Sequence, residues 1–295
     1  MEIIKTVNHM QQASDAIRMR GESLALAPTM GFFHEGHLML MRAGKEHCDR
    51  LVVSLFVNPT QFGPNEDFEA YPRDTEGDLK KAEAVGVDMV FMPSPEEMYP
   101  QGAKTSVVVK DLPNHLCGLS RLGHFDGVTT VVAKLFHIVK PHVAVFGQKD
   151  YQQLAVISRM AIDLDMDVQI IGVPTIREAD GLAMSSRNSY LSSEERKSAL
   201  SLKNSLDLAE RLFNEGEKNA QVVKDFVRSY ILEHPYTEID YIALCDPVTL
   251  DDVNTLSEGT LMALAVRVGK TRLIDNGRLK KKQSGVSRKV LGVRF

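Results

Sequence analysis

The segment that organises the chain is APTMGFFHEGHL, residues 27–38. It joins an apolar run, typical of a buried strand, to an amphipathic run, typical of a helix. The first backbone N–H groups of a helix have no partner within it, so at such a turn they can bind an anion. His34 and His37 lie at this turn, and Gly36 stands between them. The segment therefore predicts a phosphate site.

Strands and helices alternate outward from this segment. Apolar and β-branched runs, bounded by Gly, Pro and Asn, are typical of strands covered on both faces. The run 105–110 would lie at a sheet edge or an oligomer contact. Because alternating strands and helices form right-handed βαβ crossovers, we predict an α/β fold with a doubly wound, mostly parallel sheet. The predicted strands are 23–27, 51–57, 87–92, 105–110, 142–147 and 167–173, and the predicted helices are 38–47, 78–84, 128–139 and 151–164.

The composition changes after Pro174, and a smaller α+β domain is predicted there. Ser192 and Glu195 form a capping box before a helix that runs to about Asn214. A second helix at 220–232 and strands at 239–244 and 261–266 follow. We predict three parts: an α/β domain over 1–183, a C-terminal α+β lid domain over 184–276, and a basic tail over 277–295 that is mobile and solvated.

Composition limits the classes of partner and compartment. The chain has 35 basic and 39 acidic residues and a formal charge of −4, which does not favour nucleic acid or an anionic membrane as partner. Its three cysteines are isolated, so neither a disulfide framework nor a zinc ribbon is expected. No apolar run reaches the roughly eighteen residues of a membrane span, and the first residues lack a signal-peptide pattern. We expect a cytoplasmic protein.

Other readings of the motifs fit less well. His-Glu-Gly-His is one residue shorter than the His-Glu-x-x-His zinc motif, so the rings do not take the i, i+4 arrangement. Two helix-capping histidines without further function are the simpler alternative. Gly269, Lys270 and Thr271 imitate the end of a Walker loop, but Leu264 occupies the position of its first glycine, so we interpret them as a turn.

Two further segments carry groups suited to phosphate. Lys149 follows a predicted strand at the edge of the sheet where ligands bind in this fold class, although Asp150 beside it would also serve as an ordinary N-cap. Residues 184–188, Met-Ser-Ser-Arg-Asn, supply two hydroxyls and one guanidinium that can bind a polyphosphate. Taken alone, such a short stretch is more often a turn. Together with the histidines, the two segments predict a polyphosphate site.

These segments together resemble the pantothenate synthetases, or pantoate–β-alanine ligases, of the nucleotidylyltransferase superfamily with its His-x-Gly-His signature. The resemblance spans residues 28–188, with a weaker match at 271–276. It is carried by Pro28-Thr29-Met30-Gly31 with His34 and His37, Phe56-Val57-Asn58-Pro59 with Gln61-Phe62, Tyr71-Pro72-Arg73, Gly123-His124-Phe125, Phe146-Gly147 with Lys149-Asp150 and Gln152-Gln153, and 174–188.

The resemblance implies a Rossmann-like domain that binds ATP and pantoate, and an AMP-forming reaction in two steps. Pantoate would attack the α-phosphate of ATP, and β-alanine would then attack the enzyme-bound pantoyl adenylate. The implied catalytic residues are His34, His37 and Lys149. The implied ATP-binding residues are Met30, Gly31, His34, His37, Gly147, Gln148, Lys149, Asp150, Ile176, Met184, Ser185, Ser186 and Arg187.

The implied pantoate-binding residues are Gln61, Gln153 and Asn58, and neutral amides there would not blunt the carboxylate nucleophile. Magnesium is implied on the ATP phosphates, held chiefly by substrate oxygens. Asp78 is a candidate protein ligand, and the metal ligands otherwise stay open. A homodimer is the family expectation.

Two positions depart from the family pattern. Leu122 replaces a usual proline before Gly-His-Phe, and Gln148 replaces a common glutamate before Lys-Asp. The charge lost at Gln148 lies beside the expected phosphates. Two alternatives stay open: a nucleotidylyltransferase that stops at nucleotide transfer, and a non-catalytic ATP-binding module that keeps the fold.

Overall fold

The computed structural model describes residues 1–64 and 66–282. Its larger unit is a parallel sheet of six strands in the order β1-β4-β3-β2-β5-β6. The strands are β1 (Glu2–Ile4), β2 (Leu24–Thr29), β3 (Arg50–Leu55), β4 (Met89–Phe91), β5 (Val143–Gly147) and β6 (Gln169–Val173). The helices of this unit are α1 (Val7–Met19), α2 (Glu35–His47), α3 (Thr75–Ala84), α4 (Pro95–Met98), α5 (His124–Val139) and α6 (Tyr151–Asp163).

The sheet is buried on both faces, as its apolar strands predict. Along β2, Leu24 and Leu26 pack in one core with α1, α5 and α6. The alternate residues, Ala25 and Ala27, pack in a second core with α2 and α3. Because successive strand side chains point to opposite faces, a run without polar residues needs helices on both sides. The prediction of a doubly wound α/β sheet is confirmed.

The strand order reverses between β2 and β5. From β2 the chain proceeds to β3 and β4 on one side, whereas β5 and β6 lie on the other. Ligands of open α/β sheets bind in the crevice outside the carboxyl ends of the strands at such a reversal. The connections that follow β2 and β5 begin at residues 30 and 148. The fold therefore places both phosphate-binding candidates at one crevice.

The C-terminal unit is a small antiparallel sheet covered by two helices. Its strands are in the order β7-β8-β9, and the elements are α7 (Ser193–Asn214), α8 (Ala220–Leu232), β7 (Thr237–Cys245), β8 (Leu261–Val268) and β9 (Thr271–Arg278). The capping box of Ser192 and Glu195 is present at the start of α7. One face of this sheet packs on the two helices, and Ala243 and Leu261 join the core of the larger unit.

Several predicted elements need correction. Residues 105–110 do not form a strand in the described part of the chain: Val107 instead bonds through its backbone N–H and C=O to the hydroxyls of Thr130 and Thr129 on α5. The predicted tail begins too early, because β9 runs through Arg278 and Leu279 is buried. Its remainder from residue 283 lies outside the described residues. Strand β1, helix α1 and strand β9 were not predicted.

The interpretation of residues 269–271 as a turn is confirmed for Gly269 and Lys270, which link β8 to β9. In the described ranges 1–64 and 66–282, none of the helices has the length and apolar character that crossing a membrane requires.

Candidate functional site

A cavity at the carboxyl ends of β2 and β5 collects most of the predicted site residues. We call residues 30–37 the histidine turn, 147–150 the lysine loop and 184–188 the hydroxyl loop. All three border this cavity, together with part of the segment after β3. The predicted residues that line it are Met30, His34, His37, Asn58, Gln61, Gly147, Lys149, Asp150, Gln153, Ile176, Met184, Ser185, Ser186 and Arg187.

The histidine turn is held by a buried carboxylate. Asp78 on α3 accepts the backbone N–H groups of Phe32 and Phe33, each at 2.6 Å. Gly31 has a φ of 92°, and a Cβ there would lie 3.0 Å from an Asp78 oxygen, so glycine meets both a conformational and a steric requirement. Burial is the largest influence on Asp78 and raises the pKa of its carboxyl group. Asp78 thus shapes the turn.

Both histidines cap helix α2 through Nδ1. Nδ1 of His34 accepts the N–H of Gly36 at 3.1 Å, and Nδ1 of His37 accepts the N–H of His34 at 3.3 Å. A neutral imidazole whose Nδ1 accepts carries its proton on Nε2. This hydrogen-bond pattern therefore assigns the Nε2–H tautomer to both rings, whose centroids are 4.1 Å apart. The capping interpretation is confirmed, and it leaves one N–H donor on each ring.

Both rings are neutral at physiological pH. Burial, reinforced by the charge of Lys149, lowers the pKa of His34 to about 4. Burial also lowers the pKa of His37 well below its usual value, and His34 and Lys149 add to the effect. Since a protonated ring would have to give up its Nδ1 acceptor, the caps favour the same neutral state.

Gly36 explains the glycine of the motif. A Cβ at this position would lie 2.9 Å from the ring of His34, so a side chain would displace that ring. The spacing His-x-Gly-His thus lets two imidazoles pack at one helix N-terminus.

The lysine loop is fixed by the C-terminal sheet. Asn276 on β9 donates from Nδ2 to the carbonyls of Gln148 at 3.0 Å and Lys149 at 2.7 Å. In the described part of the chain the ammonium of Lys149 has no hydrogen-bond or ion-pair partner. Asp150 is the N-cap residue of α6 in position, but its side chain makes no capping bond there.

The hydroxyl loop includes the start of a short 3₁₀ segment, Ser186–Tyr190, and faces the histidine turn. Ser185 accepts the N–H of Arg187, and the Ser186 hydroxyl donates to the carbonyl of Phe32 at 3.4 Å. The guanidinium of Arg187 pairs with Asp67. These contacts place two hydroxyls and a guanidinium on one wall of the cavity.

Gln61 is positioned by a set of buried contacts. Its Oε1 accepts from Asn58 Nδ2 at 3.1 Å, and its backbone carbonyl accepts from His124 Nδ1 at 2.7 Å. The Asn58 amide also donates to Gly127 O, and its Oδ1 accepts the hydroxyl of Tyr99 at 2.8 Å. Because these protein contacts engage both ends of the amide, Asn58 supports Gln61 from behind.

Two predicted ATP-binding residues do not line the cavity. The amide of Gln148 donates to the carbonyl of Gly172 on β6 at 3.1 Å, so its side chain is used in the sheet. Gly31 packs against Asp78 instead. Leu122, the other departure from the family pattern, is highly exposed. Gln153 lines the cavity as predicted, whereas its neighbour Gln152 is buried and bonds to backbone at residues 112, 115 and 117.

Sequence reasoning missed several contributors. Tyr71 lines the cavity, and it belongs to a segment that the family resemblance had already marked. Asn276 ends the weak match at 271–276, which was the one available signal for the support of the lysine loop. Asp67 and Tyr99 had no such signal, because their partners lie far away in the sequence.

The residues present do not form a metal cage. Within residues 1–64 and 66–282, no group of three or more His, Cys, Asp or Glu side chains is arranged to hold a metal ion. Both oxygens of Asp78 accept backbone N–H groups, and Asp78 does not line the main cavity. The candidate ligand therefore has a structural task in the histidine turn.

Comparison with known proteins agrees with this geometry. The model of the family described as pantoate-beta-alanine ligase matches residues 2–278. The pantothenate synthetase of Desulfatibacillum aliphaticivorans is 56% identical over 276 residues, which are 94% of this chain and 98% of the relative. That of Geobacter sulfurreducens is also 56% identical, over the same shares of the two chains.

Solved structures of the same class have the same fold. The pantoate-beta-alanine ligase of Thermus thermophilus has a TM-score of 0.90 and 42% identity, covering 95% of this chain and 100% of its own. The enzyme of Francisella tularensis, complexed with beta-gamma ATP and beta-alanine, has a TM-score of 0.78 and 32% identity over 94% of this chain and 97% of its own. With a family match from residue 2 to 278, the chain belongs to the pantoate–β-alanine ligase family.

Proposed function

We propose that this chain condenses (R)-pantoate with β-alanine at the expense of ATP. A carboxylate oxygen of pantoate attacks the α-phosphorus, and the bond to the bridging oxygen of diphosphate breaks. The amine of β-alanine then attacks the acyl carbon of the pantoyl adenylate, loses a proton and displaces AMP, which leaves the amide pantothenate. Relatives of the family named for this reaction, and one solved with beta-gamma ATP and beta-alanine, support the assignment.

One observation carries the proposal. Two neutral imidazoles, each with its proton on Nε2, border the same cavity as the ammonium of Lys149, which has no partner among the described residues. Neutral donors stabilise negative charge on phosphate oxygens without themselves needing a counter-ion, and preorganised donors act where charge develops in the transition state. We assign His34 and His37 to the phosphate oxygens and Lys149 to the charge that grows on the leaving diphosphate.

The remaining ATP contacts follow from the walls of the cavity. Ser185, Ser186 and Arg187 of the hydroxyl loop would bind the polyphosphate from the side opposite the histidine turn. A guanidinium is suited to phosphate because its N–H groups form a planar fork. Met30, Gly147, Asp150, Ile176 and Met184 would contact the rest of the nucleotide.

Pantoate would bind at the amides of Gln61 and Gln153. Amides can pair with the hydroxyls and carboxylate of pantoate without placing a fixed cation on the nucleophile. Asn58 would act through Gln61, since its own amide is engaged by protein groups. This separates a charged phosphate wall from a neutral acid-binding wall.

Magnesium, the oligomeric state and the lid belong to the proposal too. Because the described residues form no metal cage, Mg²⁺ would enter on the polyphosphate oxygens of ATP, which suits a cation that keeps several waters and few protein ligands. We further propose a homodimer, and a lid function for residues 184–276 that closes on the nucleotide domain over 1–183.

The direct test is pantoate-dependent exchange of labelled diphosphate into ATP. Label can return to ATP only if the adenylate forms reversibly, so exchange is expected with pantoate and without β-alanine. Folded protein that shows no exchange would refute the proposed function. Adding β-alanine should convert the signal to one AMP and one amide per turnover.

A nucleotidylyltransferase that stops at nucleotide transfer is the second candidate, favoured by the histidine turn alone. Such an enzyme acts on a phosphorylated acceptor and would need cations at the acceptor wall, where this chain has Gln61 and Gln153. A product assay with and without β-alanine separates the two. A non-catalytic module would bind ATP and yield neither product.

A further inference from the structure

The guanidinium of Arg187 is held on one edge by a carboxylate from a distant loop. Its Nε donates to Asp67 Oδ2 at 2.9 Å, and its Nη2 donates to Asp67 Oδ1 at 2.7 Å. Arg187 lines the main cavity, whereas Asp67 does not. A guanidinium has five N–H groups, and this pair engages two of them. Three donors, including both on Nη1, are left for a ligand while the pair stays intact.

The contact belongs to a built arrangement. The guanidinium carbon of Arg187 lies 5.7 Å from the ring centroid of Tyr71, a residue that is buried in the cavity wall. The hydroxyl of Tyr190 donates to the carbonyl of Ala70 at 3.1 Å and joins the same two segments a second time. Burial by itself would raise the pKa of Asp67, but the hydrogen bonds and charge of Arg187 outweigh it and lower that pKa. Asp67 is therefore ionised at neutral pH.

The neighbouring carboxylate has a different partner. Glu66 binds Arg121 at 2.5 Å and 2.6 Å, and Arg121 in turn contacts His124 and the carbonyl of Gln61. Two adjacent acidic residues thus hold two arginines with separate surroundings. Arg121 stands on the amide side of the site, and Arg187 stands on the phosphate side.

We propose that Asp67 is a positioning residue for Arg187, fixing the plane of its guanidinium so that the Nη1 edge faces the phosphates of bound nucleotide. The proposal rests on the ATP site proposed above and extends it to a residue outside the cavity. Asp67 itself does not touch the nucleotide. Its contribution depends entirely on Arg187, because an arginine with a free side chain would lose several rotamers on binding phosphate.

A double-mutant cycle tests this dependence. The variants are Asp67→Asn, Arg187→Ala and both together, and the readouts are the dissociation constant of ATP by calorimetry and the separate KM values of ATP and pantoate in exchange. Asp67→Asn should weaken ATP by about tenfold, since a charge-assisted bidentate pair becomes a single neutral hydrogen bond. The KM of pantoate should not change. In the Arg187→Ala background, Asp67→Asn should change ATP binding by less than about twofold.

Glu69→Gln is the matched control, because it removes one charge from an exposed position on the same loop and should leave ATP binding unchanged. If Asp67→Asn does not fold, Asp67→Glu takes its place in the cycle, because the longer side chain displaces the fork with its charge retained. Equal losses in both backgrounds, or tighter ATP binding in Asp67→Asn, would overturn the proposal. Wild-type protein that binds ATP without exchange refutes the proposed function alone, since the cycle still reads on ATP binding; wild-type protein that does not bind ATP refutes both.

Discussion

His37 has two functions that a pair of substitutions can separate. Its Nδ1 caps helix α2 by accepting the N–H of His34, and its Nε2–H is left as a donor at the cavity. In His37→Asn the side-chain oxygen lies near the former Nδ1 and preserves the cap, but the donor is lost. In His37→Gln the longer amide can place an N–H near the former Nε2, but the cap is lost. The two variants therefore remove opposite halves of the imidazole.

The expected magnitudes differ in kind. Loss of one preorganised donor to developing charge lowers a rate by about 10²–10³-fold, or roughly 2.7–4 kcal/mol. Loss of a helix N-cap costs about 0.5–2 kcal/mol of stability, and the 3.3 Å length of this bond favours the lower end. His37→Asn should thus lose at least about 10²-fold in diphosphate exchange with nearly unchanged stability. His37→Gln should stay within about tenfold of wild-type exchange and lose roughly 0.5–1 kcal/mol of stability.

The assays are pantoate-dependent exchange of labelled diphosphate into ATP at saturating substrates, and urea unfolding. His47→Asn, at the exposed end of the same helix, controls for a histidine-to-asparagine change and should leave the exchange rate unaltered. Wild-type exchange in His37→Asn would show that Nε2–H is not used. A reversed order, with His37→Gln slow and His37→Asn fast, would reduce His37 to a helix cap.

Three further outcomes are expected. Burial lowers the pKa of both His34 and His124 to about 4 from an ordinary 6.5, so the unfolded chain binds more protons than the native one between these values. The free energy of unfolding should therefore fall as the pH falls from about 6.5 to about 4, and urea unfolding at pH 7 and pH 5 should show a smaller difference in His124→Gln. Gly36→Ala places a Cβ 2.9 Å from the His34 ring and should lower exchange by up to about 10²-fold through misplacement, with the melting temperature little changed. Asn276→Ala removes two hydrogen bonds from the lysine loop, each contributing about 1 kcal/mol, and should raise the KM of ATP several-fold in exchange kinetics.

Hydrophobic pattern was enough to predict the central sheet because its strands are buried on both faces. Strands β2, β3 and β5 are continuous apolar runs, and few other structures accept such runs next to amphipathic helices. Strand β1 has three residues and offers no period to detect. Strand β9, TRLIDNGR, places polar residues at the junction between the two units, so its pattern does not resemble a covered strand.

The site divides along a similar line. His34, Gly36 and His37 lie within four consecutive positions, so local spacing predicted their proximity. The contacts of Arg187 with Asp67 and of Asn276 with Lys149 join residues more than a hundred positions apart. Nothing in a local pattern encodes such contacts. Gln148 shows the converse: its place in a motif predicted a nucleotide contact, but a carbonyl on β6 engages its amide.

Strand β9 joins the phosphate-binding segments to the C-terminal sheet. Asp275, almost completely buried, accepts two hydrogen bonds from Arg177, which lies just before the hydroxyl loop, at 2.7 Å and 2.9 Å. The next residue, Asn276, holds the lysine loop. Adjacent strand residues point to opposite faces of a sheet, so one dipeptide can reach both segments. The C-terminal sheet is therefore part of the phosphate site before any ligand binds, and a movement of β9 would shift Lys149 and the hydroxyl loop together.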